Sequence, residues 1–186
     1  MENYYGWRAR IGVIAPIDDK VEYAFNKYAP EGVSFDSPRL WFPGPTPEGL
    51  VFLSDQLEEA AKMYRKSPHD VILFGCTSGS CIKGYGFDKE CIERIERASG
   101  CPGLTTSTAV LEAFEALGLK KTVVMTPYPE VFFLSCMGLA TMELIPALED
   151  DLGMPVITSH QASLWACLRH SGVNDKLPNL GKLFTI

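Results

Sequence analysis

The sequence predicts an α/β protein built on parallel sheets, and three observations carry that prediction. The first is Val71-Ile72-Leu73-Phe74, an apolar run without alternation that stops at Gly75-Cys76-Thr77-Ser78-Gly79-Ser80. A parallel strand covered on both faces reads this way, although periodicity alone does not separate it from a buried helix segment. The second is a repeat of that build: Val131-Phe132-Phe133-Leu134-Ser135-Cys136-Met137-Gly138 is again a short apolar run broken by a cysteine and then a glycine. The third is the alternation of strand-like and helix-like stretches along the whole chain.

The elements follow in order. Arg10 to Pro16 is an apolar strand stopped by proline, with a mouth loop after it. Asp19 to Tyr28 carries Val21, Ala24, Phe25 and Tyr28 at helical spacing, and Val33 to Phe42 returns to β-rich residues. In the loop Pro43 to Gly49, Thr46 is positioned to cap a helix with Pro47 at its first position. Leu50, Leu53, Leu57, Ala60, Ala61 and Tyr64 trace one face of that helix. After the Cys76 strand comes a flexible loop from Gly79 to Gly86, then a helix marked by Cys91, Ile92 and Ile95 and ended by Gly100. Residues 102–105 form a short strand. Thr106 or Ser107 is expected to cap the next helix, with Val110, Leu111, Phe114 and Leu117 inward and Gly118 at its end.

Composition narrows the function classes. The chain has 186 residues, 46% hydrophobic and 22% charged, enough for a sizeable core in one domain or two small lobes. The opening residues 1–5 lack a basic region followed by an apolar core, and no stretch approaches the roughly 18 apolar residues of a spanning helix, so a cytoplasmic protein is expected. A net charge of -6 with scattered basic residues argues against nucleic acid or anionic lipid as partner. A small molecule is the expected partner.

Six cysteines, at 76, 81, 91, 101, 136 and 167, fit neither disulfides in a reducing compartment nor a metal site. None forms a Cys-x-x-Cys pair, and His69, His160 and His170 keep no ligand spacing with them. Cys81, Cys91, Cys101 and Cys167 read as small buried hydrophobes. Cys76 and Cys136 differ by position, each at the end of a strand.

The second half of the chain can be laid on the first. Residues 100–111 match 153–164 at Gly, Pro, Thr, Ala and Leu, an offset of 53 (153 minus 100). Cys76 matches Cys136 at an offset of 60, and Val13 to Pro16 matches Val124 to Pro127 at 111. Two βα lobes related by duplication are therefore expected, each with one thiol. The first spans 9–105, the second 106–175, with the helix from 106 crossing between them and a C-terminal tail over 176–186. The offsets also expose a shortfall of 51 residues (111 minus 60) after Glu130, the length of a helix, a strand and a helix. Residues 122–135 are then either a hairpin or the flanks of an absent segment, because parallel neighbours need a crossover of about a dozen residues or more. Absence is the favoured reading.

Gly75-Cys76-Thr77-Ser78, Thr46-Pro47-Glu48-Gly49, Ser107-Thr108-Ala109-Val110-Leu111, Thr126-Pro127-Tyr128 and Leu134-Ser135-Cys136 together resemble the aspartate/glutamate racemase superfamily, in the branch of maleate cis-trans isomerases and arylmalonate decarboxylases. The resemblance covers nearly the whole chain. It implies two pseudo-symmetric lobes with the active site between them, chemistry without a cofactor or metal, and a homo-oligomer as an option. It also implies catalytic roles for Cys76 and Cys136, and substrate-binding roles for Thr77, Ser78 and Tyr128, with Met137 and Gly138 beside the second cysteine. Decarboxylases of this branch place a non-nucleophilic residue at the first cysteine position, so Cys76 points to isomerase or racemase chemistry. Maleate isomerases place an asparagine in the first mouth loop. Here Ile17-Asp18-Asp19 stands instead, and an acidic side chain would repel a dicarboxylate.

The residues support the same placement independently. Ligands of open α/β sheets bind beyond the carboxyl ends of strands, where both cysteines fall. Helix N-termini after those strands would bind a carboxylate and favour a thiolate. The expected function is a cofactor-independent isomerase or racemase of a small carboxylic or dicarboxylic acid. A decarboxylase and an inactive carboxylate-binding module are the alternatives. A thiol hydrolase would need a histidine beside Cys76, and His69 stands at the opposite end of that strand. His160, next to Ser159 at a helix start, is expected to be a solvated first-turn residue.

Overall fold

The computed structural model describes residues 5–17, 20–119, 123–124, 132–134, 137 and 141–186. Two parallel sheets result. In the first, β1 (Ala9–Pro16) and β4 (Val71–Phe74) are central: β2 (Val33–Asp36) pairs the first half of β1, β3 (Arg39–Leu40) pairs its end, and β5 (Gly103–Thr105) closes the far side of β4. In the second, β6 (Val123–Val124), β7 (Phe132–Leu134) and β8 (Val156–Thr158) lie in that order. Among the described residues, no helix is long and apolar enough to cross a membrane.

The unalternating β4 run has the expected physical cause, since all four of its residues are buried. Ile72 and Phe74 face a core shared with Ile14, Leu53, Leu57, Tyr64, Cys91 and Ile95. That face is covered by α2 (Pro47–Asp55), α3 (Leu57–Lys62) and α4 (Phe87–Ser99). Val71 and Leu73 face the other core, with Ile11 and Val13 of β1. There α1 (Val21–Tyr28), α5 (Thr106–Ala116) and α7 (Ser159–His170) pack, joined by Val156 and Ile157 of β8 and by Phe184 from the tail. At about 1.5–3 kcal/mol for each fully buried large apolar side chain, these two layers dominate the stability of the sheet.

The duplication is visible in the strand register. Leu73 pairs Leu104, and Phe133 pairs Ile157; Phe74 pairs Thr105, and Leu134 pairs Thr158. Val13 pairs Leu73, and Val124 pairs Phe133. These pairs reproduce the offsets of 53, 60 and 111 read from the sequence. Capping repeats as well: Gly100 and Gly153 end α4 and α6 (Ile145–Leu152) in the left-handed region, where a side chain would strain. Thr105 and Thr158 cap α5 and α7 from the preceding strands.

The hairpin alternative is excluded, because β6 and β7 run parallel. Val13 and its partner Leu73 are 60 residues apart, whereas Val124 and Phe133 are nine apart, so the shortfall of 51 falls between two parallel neighbours. The join at Glu130 and Val131 lies outside the described residues.

Some local expectations hold and others shift. Thr46 accepts from the Gly49 N–H at 3.1 Å with Pro47 behind it, as the loop sequence predicts. The cap of α5 is Thr105 rather than Thr106 or Ser107: its Oγ1 accepts from the Thr108 N–H at 3.1 Å, and the last strand residue already has the extended backbone a cap needs. Leu111 is not inward. It lies 56% exposed and lines a groove of about 430 Å³ with Tyr85 and Phe114. The inward face of α5 uses Ala109 and Ala113 instead, small residues that let α7 approach closely.

Two predictions follow from this packing. A Cβ on Gly12, in the middle of β1, would sit 2.7 Å from the ring of Tyr64, which is buried and donates its hydroxyl to the Asp36 carbonyl at 2.8 Å. Gly12→Ala should therefore cost about 1–3 kcal/mol, read as a lower urea midpoint. The second concerns His170, whose Nε2 lies 3.0 Å from Glu112 Oε2 and ties α7 to α5. The Glu112 hydrogen bond raises the His170 pKa above its ordinary value, against the opposing effect of burial. A raised folded pKa stabilises fully below the unfolded value of about 6.5, and that stabilisation is lost as pH rises through the folded one. Melting curves of wild type and Glu112→Gln should thus differ at pH 5.5 and converge at high pH, the gap staying small because both side chains are about one-third exposed.

Candidate active site

Cys76 follows the central strand by two residues and is half-buried. The chain turns sharply there: Gly75 N–H donates to the Ile14 carbonyl at 2.8 Å, and Ser80 N–H returns to the Cys76 carbonyl at 3.0 Å. The same turn aims the Gly79 N–H at Cys76 Sγ, 3.3 Å away. Space at 79 is tight: a Cβ would lie 3.0 Å from that sulfur and 3.1 Å from the Phe74 ring. A backbone N–H donating to sulfur favours the thiolate over the thiol.

The donors are not those of a helix starting at the cysteine. Residues 77–86 form turns, and α4 begins only at Phe87. Two other helices point their N-termini at the turn instead. Ser107, second residue of α5, donates to the Thr77 carbonyl at 3.2 Å and lies 2.6 Å from Ser80 Oγ, which donates to the same carbonyl at 2.9 Å. Ser159, first residue of α7, lies 3.0 Å from Thr77 Oγ1. Helix N-termini attract anions, so a carboxylate or a thiolate is electrostatically favoured at this point.

The sequence-expected residues are distributed as follows. Cys76 and Thr77 are half-buried at the turn, and Ser78 beside them is exposed. Met137 is buried, its side chain in the core to which both sheets contribute, where Ser163 Oγ lies 3.9 Å from its sulfur. Cys136, Tyr128, Gly138, Asp18 and Asp19 lie outside the described residues, as does the separation of the Cys76 and Cys136 sulfurs. Cys136 comes two residues after Leu134, as Cys76 comes two after Phe74, and those two strand ends hold matching places in register. The serines 80, 107 and 159 are the additions that the structure makes to the turn. In the sequence, Ser159 stands out only through the repeat that lays it on Thr106.

Two further corrections concern titratable groups, and one expectation holds. His160 is not solvated: it is buried, with its ring edge-on to Phe25 at 6.5 Å between centroids. Cys81 is exposed, its thiol donating to the Thr77 carbonyl at 3.3 Å, rather than buried with the other three. His69 stands at the far end of β4, as expected, with Nε2 2.7 Å from Asp36 Oδ2.

Burial pushes the Cys91 thiol up to about 12 and raises that of Cys167 as well. Native labelling with iodoacetamide at pH 7.5 should therefore modify Cys76 and Cys81 and spare Cys91, Cys101 and Cys167 until the protein is denatured, as peptide mass spectrometry would read.

Comparison with known proteins fits this geometry. A model of the arylmalonate decarboxylase family matches residues 11–132 and again 120–184, the two matches overlapping around the short connection. Arylmalonate decarboxylase of Bordetella bronchiseptica is 25% identical over 194 aligned positions, covering 75% of this chain and 81% of that one. Since 75% of 186 residues is about 140, about 50 of those positions have no counterpart here, in keeping with the shortfall of 51. Among solved structures, a double variant of arylmalonate decarboxylase in liganded form is similar at a TM-score of 0.86 and 24% identity, covering 95% of this chain and 98% of its own. A cysteine-to-serine variant of Nocardia farcinica maleate cis-trans isomerase, with a covalently bound succinylcysteine intermediate, reaches a TM-score of 0.82 at 16% identity, with coverage of 95% and 98%. The fold is common to both enzymes, and the sequence match over nearly the full length makes this chain a member of the arylmalonate decarboxylase family.

Proposed function

We propose that the protein is a cofactor-independent isomerase or racemase of a small carboxylic acid, with Cys76 and Cys136 as its two reacting groups. The observation that carries the reading is the Cys76 turn: a half-buried sulfur at the mouth of the central strand, with a backbone N–H on it and two helix N-termini converging on the next residue. Thr77, Ser78 and Tyr128 hold the substrate carboxylate in this reading, helped by the backbone around Met137 and Gly138. That a related maleate isomerase carries a succinylcysteine intermediate supports a cysteine nucleophile for this chain too.

In the isomerase form, the Cys76 thiolate adds to one alkene carbon while the Cys136 thiol gives its proton to the other. The carbon–carbon bond, now single, rotates. Reversal returns the proton to Cys136 and expels the Cys76 thiolate, so thiols and protons balance over the cycle. In the racemase form, one thiolate takes the α-proton and the opposite thiol supplies another from the other face. The family match favours a second reading, decarboxylation of an arylmalonate, in which carbon dioxide leaves and a thiol protonates the resulting carbanion.

Proton NMR in deuterium oxide with maleate, phenylmalonate and 2-phenylpropionate separates these readings. The expected result is formation of fumarate or exchange of the α-proton, abolished in both Cys76→Ser and Cys136→Ser with the fold intact. Carbon dioxide release from phenylmalonate that survives in Cys76→Ser would establish the decarboxylase instead. Binding of these acids without turnover would leave a carboxylate-binding module.

A further inference from the structure

The helices α5 and α7 are counterparts in the duplication, yet a face that α7 buries is open on α5. At the offset of 53, Leu111 corresponds to Leu164, Phe114 to Cys167 and Ser107 to His160. Leu164 and Cys167 are fully buried, and the buried His160 ring stands edge-on to Phe25. Their cover includes α1, which packs on α7 and brings Val21 and Phe25 into the same core. The helix that would do this for α5 falls within the 51 residues by which the second half is short. Leu111 is accordingly exposed.

What remains there is a groove rather than a flat face. It encloses about 430 Å³, a volume ordinary for a small-molecule site. Leu111, Phe114 and Tyr85 give it apolar walls. Thr77 and Ser107 line it too, and Ser107 donates to the Thr77 carbonyl in the Cys76 turn. The two charged residues on its lining, Asp88 and Lys89, offset each other.

We propose that this groove holds the apolar tail of the acid whose carboxylate the Cys76 turn receives, so that the substrate is an acid with an extended hydrocarbon chain. The inference rests on the reading of that turn as a carboxylate site. From Ser107 to Phe114 the groove follows α5 for about 10 Å, a distance that about eight bonded atoms span when extended.

Continuity with the turn selects this occupant. Thr77 belongs both to the turn and to the groove, so a molecule bound by its carboxylate at one has the other open beside it. A partner's helix suits the space less well. With its side chains a helix is about 10–12 Å across, so two turns of one occupy about 800 Å³ or more, about twice what the groove encloses.

The protein carries its own reporters for the two ends of such an acid. The Cys76 sulfur stands at the turn, and the exposed Cys81 lines the groove. Iodoacetamide labelling of both in the full chain, read by peptide mass spectrometry while acetate, octanoate or octanol is titrated, separates tail binding from carboxylate binding. Octanoate should protect Cys76 at a concentration at least about tenfold below that of acetate, since each methylene that leaves water adds up to about fourfold. Octanoate should also protect Cys81, which saturating acetate leaves reactive. Leu111→Ser and Tyr85→Ala should each bring octanoate to within about threefold of acetate, whereas Leu144→Ser, outside the groove, should keep the wild-type ratio. All three side chains are exposed, so the fold tolerates their loss.

Equal protection of Cys76 by the two acids would overturn the tail groove and leave the carboxylate site standing. So would a Cys81 shielded before any ligand is added, with a dimer in sedimentation that Leu111→Ser dissolves, because a second copy would then cover the groove. Octanol that protects Cys81 as well as octanoate does, with Cys76 unprotected by octanoate, would overturn it too. If neither acid protects Cys76, the carboxylate reading falls and the inference with it.

Discussion

A strand buried on both faces cannot slip by one residue without exchanging the surroundings of every side chain it carries, and β4 imposes that constraint on whatever follows it. Val71 and Leu73 are committed to one core, Ile72 and Phe74 to the other. The chain leaves this strand at a fixed height and direction, so Gly75 and Cys76 are delivered to the sheet's mouth with little freedom. The hydroxyls around the turn then act on a group whose position is already set.

Among the described residues, the side chains that hydrogen-bond to the turn's backbone carbonyls and hydroxyls are neutral. Ser80, Ser107 and Ser159 carry no charge, and the attraction they offer an anion comes from oriented dipoles and the ends of α5 and α7. Dipoles of this kind attract an anion more gently than the full charge of a lysine or arginine would. They also suit a thiolate that must remain reactive, since a close cation would stabilise the sulfur anion and blunt its nucleophilicity.

Much of this was legible in the sequence because it depends on patterns that a chain must carry openly. The buried run at 71–74, the cap at Thr46, the glycine stop at Gly100 and the three repeat offsets are all local or comparative signals. The misses have a common cause. Thr105, Thr106 and Ser107 are three consecutive hydroxyl residues, and only the backbone angle at the strand end decides which one caps α5. Leu111 and Ala113 lie two apart on one helix, and the closeness of α7 decides that the alanine faces inward. The exposure of Cys81 and the burial of His160 escape the sequence because exposure near a turn or a helix start is a tertiary property. The Thr77 and Ser159 pairing links residues 82 positions apart, and no local rule selects it among so many serines and threonines.

The core that Ile11, Val13 and Phe25 share with Val156, Ile157, Leu164 and Phe184 has a consequence for descent. A lobe with a private core would collapse on losing a helix, a strand and a helix, since what remained could not exclude water by itself. Here Val156 and Ile157 of the second sheet pack in the same core as Ile11 and Val13 of the first. A duplication that began as two equal copies can in this way become unequal.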